Sequence, residues 1–196
     1  MEKVIIINGS PRKKGYSKQI IDYISKRLEI ENISYKIYNI YDMNIDYCTN
    51  CGYCGKVKGC RIKDDMQELY KHFNESSSTI LVSPVAFDGP IAKVKTLIDR
   101  TNAIFHSKYT LHDSMIDRSK KRVGFHIQVA GSDRYETQFN GGKVVNEFFF
   151  KSINSKPEVS IGIFNTDKTN PLEDKPTMTD IRSAVDRYIN ALSKII

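Results

Sequence analysis

Four of this chain's residues are cysteines, and all four fall between positions 48 and 60, spaced Cys48-x2-Cys51-x2-Cys54-x5-Cys60. In a reducing compartment such a cluster points to metal binding or catalysis rather than to a disulfide framework. A cubane cluster needs four thiolates converging on a small cube, and a compact run with two-residue gaps can wrap one. Gly52, Gly55 and Gly59 permit the tight backbone, and Lys56, Lys58, Arg61 and Lys63 would offset the negative charge of a thiolate-ligated cluster. The spacing therefore predicts a [4Fe–4S] site on Cys48, Cys51, Cys54 and Cys60. Two rivals stay open. Structural zinc more often takes its cysteines as two pairs separated by a longer element, and a redox disulfide or plain reduced thiols would need no metal.

A second segment carries a different chemistry. Asn8-Gly9-Ser10-Pro11-Arg12-Lys13-Lys14-Gly15-Tyr16-Ser17 lies between an apolar run and a helical pattern. The first amides of a helix are unpaired and point outward, which makes a strand–loop–helix junction an anion site. Ser10 and Ser17 add hydroxyls, Arg12, Lys13 and Lys14 add positive charge, and Gly9 and Gly15 relieve crowding. The glycine spacing matches neither the dinucleotide fingerprint nor a Walker loop. A mononucleotide phosphate is the better expectation; an ordinary polar β–α loop is the alternative.

The remaining candidates are weaker. His72, His106, His112 and His126 have no mutual metal spacing, and His126 falls in a strand pattern, where a structural role is expected. No serine sits in a nucleophile elbow.

The elements that must position these residues alternate from end to end. Strand patterns cover residues 4–7, 34–40, 79–82, 122–129 and 159–164, the third stopped at Ser83-Pro84. Helical patterns run from Ser17, over residues 64–73, from an opening at Pro90 with Val94, Leu97 and Ile98 in period, over 138–153, and over 177–196 with Thr177 and Asp180 as a capping pair. Residues 165–175 read as a polar, mobile loop. Alternating strands and helices predict an α/β fold, one parallel sheet covered on both faces, with ligands beyond the C-terminal strand ends. No linker or repeat divides residues 1–196, so a single domain is expected.

The 30 basic and 23 acidic side chains leave a net charge of +7. A basic surface favours anionic ligands such as flavin and nicotinamide phosphates. Nucleic acid is not expected, because no basic recognition helix, zinc-finger spacing or aromatic RNA-binding signature is present. No apolar leader and no run of 18 apolar residues is found, so a cytoplasmic protein that avoids membranes is expected.

Three stretches, in order, resemble a known group. Gly9-Ser10-Pro11-Arg12 with Gly15 and Ser17, the cysteine run followed by Asp64-Asp65-Met66, and Ser83-Pro84-Val85 through Lys95 and Asp99-Arg100 are similar to the NADPH-dependent FMN reductase and iron–sulfur flavoprotein group. The resemblance covers the first half of the chain. It implies a flavodoxin-like three-layer sandwich with a five-stranded parallel sheet in the order 2-1-3-4-5. It implies FMN, with its phosphate at Ser10, Arg12, Lys13 and Ser17 and its ring against Pro84, Val85, Ala86, Phe87, Asp88 and Gly89. Element order adds the turn Ala130-Gly131-Ser132 to that edge. Ala86 and Asp88 stand where the group has tyrosine and glycine, and Tyr16 replaces an asparagine. Asp88 would either disfavour an anionic reduced ring or cap the helix near Pro90. The resemblance further implies an oxidoreductase that passes electrons from NAD(P)H or a reduced protein donor to a quinone, flavin or small electrophile. It also implies a homo-oligomer, dimer or tetramer, with the cysteine loop near a neighbouring subunit. A non-catalytic electron carrier between protein partners is the alternative, and a redox sensor that has lost its flavin is a third reading.

Overall fold

A computed structural model describes residues 3–196. The wholly apolar run at the start forms β1 (Val4–Asn8), every residue of it buried. It is the centre of the first crossovers: α1 (Tyr16–Ile30), β2 (Tyr35–Asn39), α2 (Met66–Glu75) and β3 (Ser78–Ala86) follow. Then come β4 (Gly89–Pro90), α3 (Ala92–Arg100), α4 (Asn102–Tyr109), β5 (Val123–Val129), α5 (Asn140–Ser152), β6 (Lys156–Ile163) and α6 (Lys175–Ser193). The sheet order is β2-β1-β3-β5-β6, all parallel, and β4 pairs only with β3, antiparallel. The five parallel strands follow the expected path; β4 is an addition to it.

Alternation along β1 divides the core. Val4 and Ile6 face a layer built by α1 and α6, with Ile20, Ile24, Val185 and Tyr188. Ile5 and Ile7 face the other layer, with Leu69, Phe73, Leu97 and Phe149 from α2, α3 and α5. Each such side chain, fully buried, contributes about 1.5–3 kcal/mol.

Several boundaries differ from expectation for identifiable reasons. β3 does not stop at Ser83-Pro84 but runs to Ala86, with Pro84 in register against Val129. Pro90 does not open a helix; it lies in β4, and α3 starts at Ala92 with Ile91 as its uncapped N-cap. Asp88 therefore does not cap the helix after Pro90. Phe87 and Asp88 have φ of 49° and 58° and form the two-residue turn joining β3 to β4. Positive φ at both central residues is the hairpin geometry that matches strand twist. The cap of α6 is not Thr177 with Asp180 but Asp174, whose carboxylate accepts from Thr177 N at 3.0 Å and Thr177 Oγ1 at 2.6 Å. The polar segment after β6 is tied down: Asn165, Thr166 and Asp167 amides donate to Ser132, Ala130 and Gly131 carbonyls at 2.7, 3.2 and 3.0 Å. α4 lacks a clear 3.6-residue repeat and had no counterpart in the sequence pattern.

One buried ion pair joins the layers to the cysteine segment. The Arg100 guanidinium at the end of α3 donates to Asp64 Oδ2 at 2.6 Å and Oδ1 at 2.9 Å, and to Asp46 O at 2.7 Å. The side chains are 0% and 3% exposed. Asp64 also accepts from the Asp46 and Met66 amides at 3.0 and 3.1 Å. Burial alone would raise the Asp64 carboxyl, but Arg100 and these amides hold it below the usual carboxylate range. No helix among the described residues is long and apolar enough to cross a membrane.

His126 is buried in β5, its Nε2 2.7 Å from Asn146 Nδ2 on α5. Burial pushes its pKa down to about 3, from 6.5. In the unfolded chain the imidazole takes a proton near its ordinary value; in the folded chain it does not. Its contribution is complete above pH 6.5 and shrinks as pH falls toward about 3. Urea unfolding at pH 7 and pH 5 should show this group removing about 1.4 kcal/mol per pH unit below its ordinary pKa. His126→Gln should flatten that part of the slope. An unchanged slope would assign the acid sensitivity to other groups.

Candidate functional site

The parallel sheet sends the ends of β1, β3 and β5 to one edge, where a cleft of about 320 Å³ opens. Its walls come from Ser10, Pro11, Arg12, Gly15, Tyr16 and Ser17 on one side and Pro84, Val85, Val129 and Gly131 on the other. The loop after β1 is held by its own polar groups. Asn8 Nδ2 donates to Asn39 Oδ1 at 2.9 Å, the Ser10 amide donates to Asn8 Oδ1 at 3.1 Å, and the Arg12 amide donates to Ser10 Oγ at 3.2 Å. The Gly15 amide then closes on Arg12 O at 3.1 Å. α1 begins with no side-chain cap and no acidic residue in its first turn. Its positive end is thus left uncompensated beside two buried hydroxyl residues, Ser10 and Ser17. Such a junction can take a phosphate.

Ser10, Arg12, Ser17, Pro84, Val85 and Gly131 are brought together in this cleft. Lys13 is exposed and stands outside its walls, as do Ala86, Phe87, Asp88 and Gly89, which project beyond it as the β3–β4 hairpin. Phe87 at the tip is fully exposed. Asp88 is engaged elsewhere: Tyr135 Oη and Thr137 Oγ1 donate to its carboxylate, and its carbonyl accepts from the Gly142 amide at 3.1 Å. The hairpin and the loop after β5 are laced together through this one residue.

Thr166 and Asp167 also line the cleft, and sequence reasoning missed them. The Asp167 carboxylate packs so close to Gly131 that a Cβ there would collide with it. Their position after β6 puts them on the same edge by element order; the contact with Gly131 comes from the fold alone.

The cysteine segment forms a separate hollow, lined by Cys48, Cys51, Cys54 and Cys60 together with Arg61, Arg100 and, from α4, Asn102, Ala103 and His106. All four cysteines are free thiols. Burial first, then the charges of Cys48, Cys60 and Cys51, push the Cys54 thiol up, so the four sulfurs are within electrostatic reach of one another. Cys51, at the rim, is held below its ordinary value by the Tyr53 amide and Arg61. Arg100 Nε is buried without a partner in the wall. Among the described residues no group of three or more His, Cys, Asp or Glu is arranged for a single metal ion. A cubane is wider than one ion and holds its thiolates further apart, and four thiols, a buried cation and an unpaired donor fit such a group in chemistry. The hollow itself is about 30 Å³, room for a water or two, so a cluster requires the turn between Gly52 and Gly59 to move outward. Both glycines have positive φ, and nothing lies within 4 Å of either would-be Cβ.

The NADPH-dependent FMN reductase family model matches residues 2–134. An iron-sulfur flavoprotein of Archaeoglobus fulgidus is 29% identical over 202 residues, covering 98% of each chain. One of Methanocaldococcus jannaschii is 28% identical over 204 residues, again covering 98% of each. Among solved structures, an azoreductase from Bacillus anthracis superposes with a TM-score of 0.65 at 15% identity, covering 99% of this chain and all of that one. A flavone reductase gives 0.69 at 15% identity, covering all of this chain and 64% of that one. At such identities the structures show the flavodoxin-like fold, and the family match shows more: the chain is an oxidoreductase that belongs to the NADPH-dependent FMN reductase family.

Proposed function

We infer that the chain binds FMN in the cleft at the ends of β1, β3 and β5 and passes electrons from NAD(P)H or a reduced protein donor to a quinone, a flavin or a small electrophile. The observation that carries this reading is the uncapped start of α1 beside buried Ser10 and Ser17, with Arg12 in the same wall. FMN, when bound, supplies the hydride and electron chemistry. Ser10, Ser17 and Arg12 would hold its phosphate, and Pro84, Val85 and Gly131 would flank the rest. Phe87 would cover the outer face of the site from the hairpin tip.

The cysteines support a second element of the reading: a [4Fe–4S] cluster on Cys48, Cys51, Cys54 and Cys60, which supplies one-electron transfer. Relatives named iron-sulfur flavoproteins and the shared hollow favour it. A cluster would also favour the electron-carrier reading, because nicotinamides deliver two electrons. Steady-state NAD(P)H oxidation separates the two: turnover with a quinone supports the reductase, and a flavoprotein reduced only by a protein donor supports the carrier. A homo-oligomer fits the exposed Phe105 and Phe148 near Cys48.

Three outcomes test these assignments. Arg12→Ala should weaken FMN binding by about 1.5–3 kcal/mol, the scale of a charge-assisted hydrogen bond; unaltered affinity in a fluorescence titration would put the phosphate elsewhere. Protein reconstituted without oxygen should hold about four iron and four sulfide per chain, and Cys54→Ser should lose most of both; less than about one iron per chain would remove the cluster. Phe87→Gly should stabilise the fold by about 1 kcal/mol, because a bulky side chain at positive φ is strained. The same change should raise KM for the acceptor. A stabilised variant with unchanged KM would leave Phe87 no part in the site.

A further inference from the structure

A second hollow is larger than the flavin cleft. It is a groove of about 800 Å³ at the opposite edge of the sheet, where β5 and β6 begin at Val123 and Lys156. Eight lysines and arginines line it against two glutamates, so six of the chain's seven net positive charges gather here.

Helix ends explain part of this charge. Arg122 is buried and donates to the carbonyls of Asn74 and Ser76 at the end of α2, at 2.5 and 3.2 Å. Arg118 donates to Lys151 and Ser152 carbonyls at the end of α5, at 3.4 and 2.9 Å. Lys120 reaches the Glu75 carbonyl. Helices α4, α5 and α6 end on this groove, and α2 ends behind it against Arg122 and Lys120; each C-terminus carries about half a negative charge, about −2 in all. That offsets a third of the local excess. Close to four positive charges remain without a counterpart. Lys121 and Lys194 have no carboxylate partner among the described residues. Burial, then Arg122 and Lys3, hold the Lys120 ammonium below its ordinary value, and burial does the same to Arg118 and Arg122. Asp117 opposes the shift at Arg122 and Lys120, and Lys156 pairs with Glu158, so the unpartnered charge lies with Lys121 and Lys194.

The floor is apolar. Tyr109, Pro157, Ala191 and Ile195 present apolar surface among the charged side chains. A groove of this size is within the range that encloses a small organic ligand, roughly 300–1,000 Å³. An apolar floor takes a planar ring, and a rim with about four surplus positive charges takes several phosphate charges rather than one carboxylate.

We propose that this groove is a binding site for a nucleoside polyphosphate, separate from the flavin cleft, with the base over Tyr109 and Pro157 and the phosphates toward Lys121 and Lys194. It lies at the other edge of the sheet from Ser10 and Ser17, so it fills without displacing FMN. α4 runs from Ala103 and His106 in the wall of the cysteine hollow to Lys108 and Tyr109 in the wall of the groove, so one rigid element borders both.

The test is calorimetric titration of FMN-saturated protein with ADP, with pyrophosphate and adenosine as separate arms. ADP should bind with one site per chain and more tightly than either fragment, and its affinity should fall as salt rises. Lys121→Glu combined with Lys194→Glu should weaken ADP by about tenfold or more while FMN content stays unchanged. Lys26→Glu, on the exposed face of α1, should leave ADP binding alone. The proposal is overturned if ADP binds the double variant as it binds the parent, which would place the nucleotide elsewhere. It is overturned equally if ADP does not bind, or if pyrophosphate binds as tightly as ADP, which would make the groove an anion sink with no place for a base.

Discussion

The guanidinium of Arg100 is the point on which the cysteine side of the molecule hangs. It sits fully buried between α3 and the segment that carries the thiols, and it grips both ends of that segment at once, Asp46 through a carbonyl and Asp64 through both carboxylate oxygens. Taking two ions out of water costs several kcal/mol each, and only close two-point geometry with further hydrogen bonds repays it. Here the pair has both, since Asp64 collects two backbone amides besides. Removing one partner would strand the other's charge, a loss of about 3–5 kcal/mol. A nineteen-residue excursion with no strand of its own, reaching from Asp46 to Asp64, stays folded on α3 and α4 because of this clamp. The same side chain forms part of the wall that the thiols face. A residue needed to fold the loop thereby also brings positive charge to the place where thiolate charge would collect.

A parallel sheet gives the molecule electrical polarity. Each strand's end feeds a helix start, so uncapped amides collect at one edge and carbonyl ends at the other. The first edge suits an anion held by backbone donors and needs few cations. Of the cationic side chains only Arg12 lines the cleft there, beside Ser10 and Ser17. The second edge draws cations, and this chain supplies more than its helix ends use. Net charge was legible in the composition. Its concentration at the starts of β5 and β6 was not, because Lys108, Lys121, Lys156 and Lys194 are far apart in sequence and meet only through the sheet order.

The fold was legible where pattern and physics coincide. The run Val-Ile-Ile-Ile at β1, stopped by Asn8-Gly9, reads as a buried strand, and the strand–loop–helix junction after it contains the residues of one wall of the cleft. Legibility failed where a local signal competes with a tertiary one. Pro90 reads as a helix opener, yet the preceding Phe87-Asp88 pair adopts a turn ordinarily signalled by Asn-Gly, and the proline is drawn into β4. α4 carries Ala103, Ile104 and Phe105 in succession, without the repeat of a surface helix, because it is pinned against the cysteine hollow as well as the core. Asp167 had no motif around it. Its place in the cleft follows from three backbone hydrogen bonds to the turn after β5 and from the absence of a Cβ at Gly131.

The strained hairpin shows how two loops at the C-terminal edge of the sheet depend on each other. A phenylalanine at positive φ, exposed to solvent, brings no burial energy to offset its strain, so the turn must be held from outside. Asp88 does the holding: its carboxylate takes Tyr135 and Thr137 from the loop after β5, and its carbonyl takes the Gly142 amide in the first turn of α5. That loop is in turn fixed to the segment after β6 through Ser132, whose carbonyl accepts from Asn165 at 2.7 Å and whose hydroxyl accepts from Gln138 at 2.8 Å. Three connections from separate strands thus share one hydrogen-bonded chain ending at the cleft mouth. A side chain that gains no burial from the fold is kept in place by groups that do, its strain offset by hydrogen bonds that tie the hairpin to the loop after β5 and the start of α5.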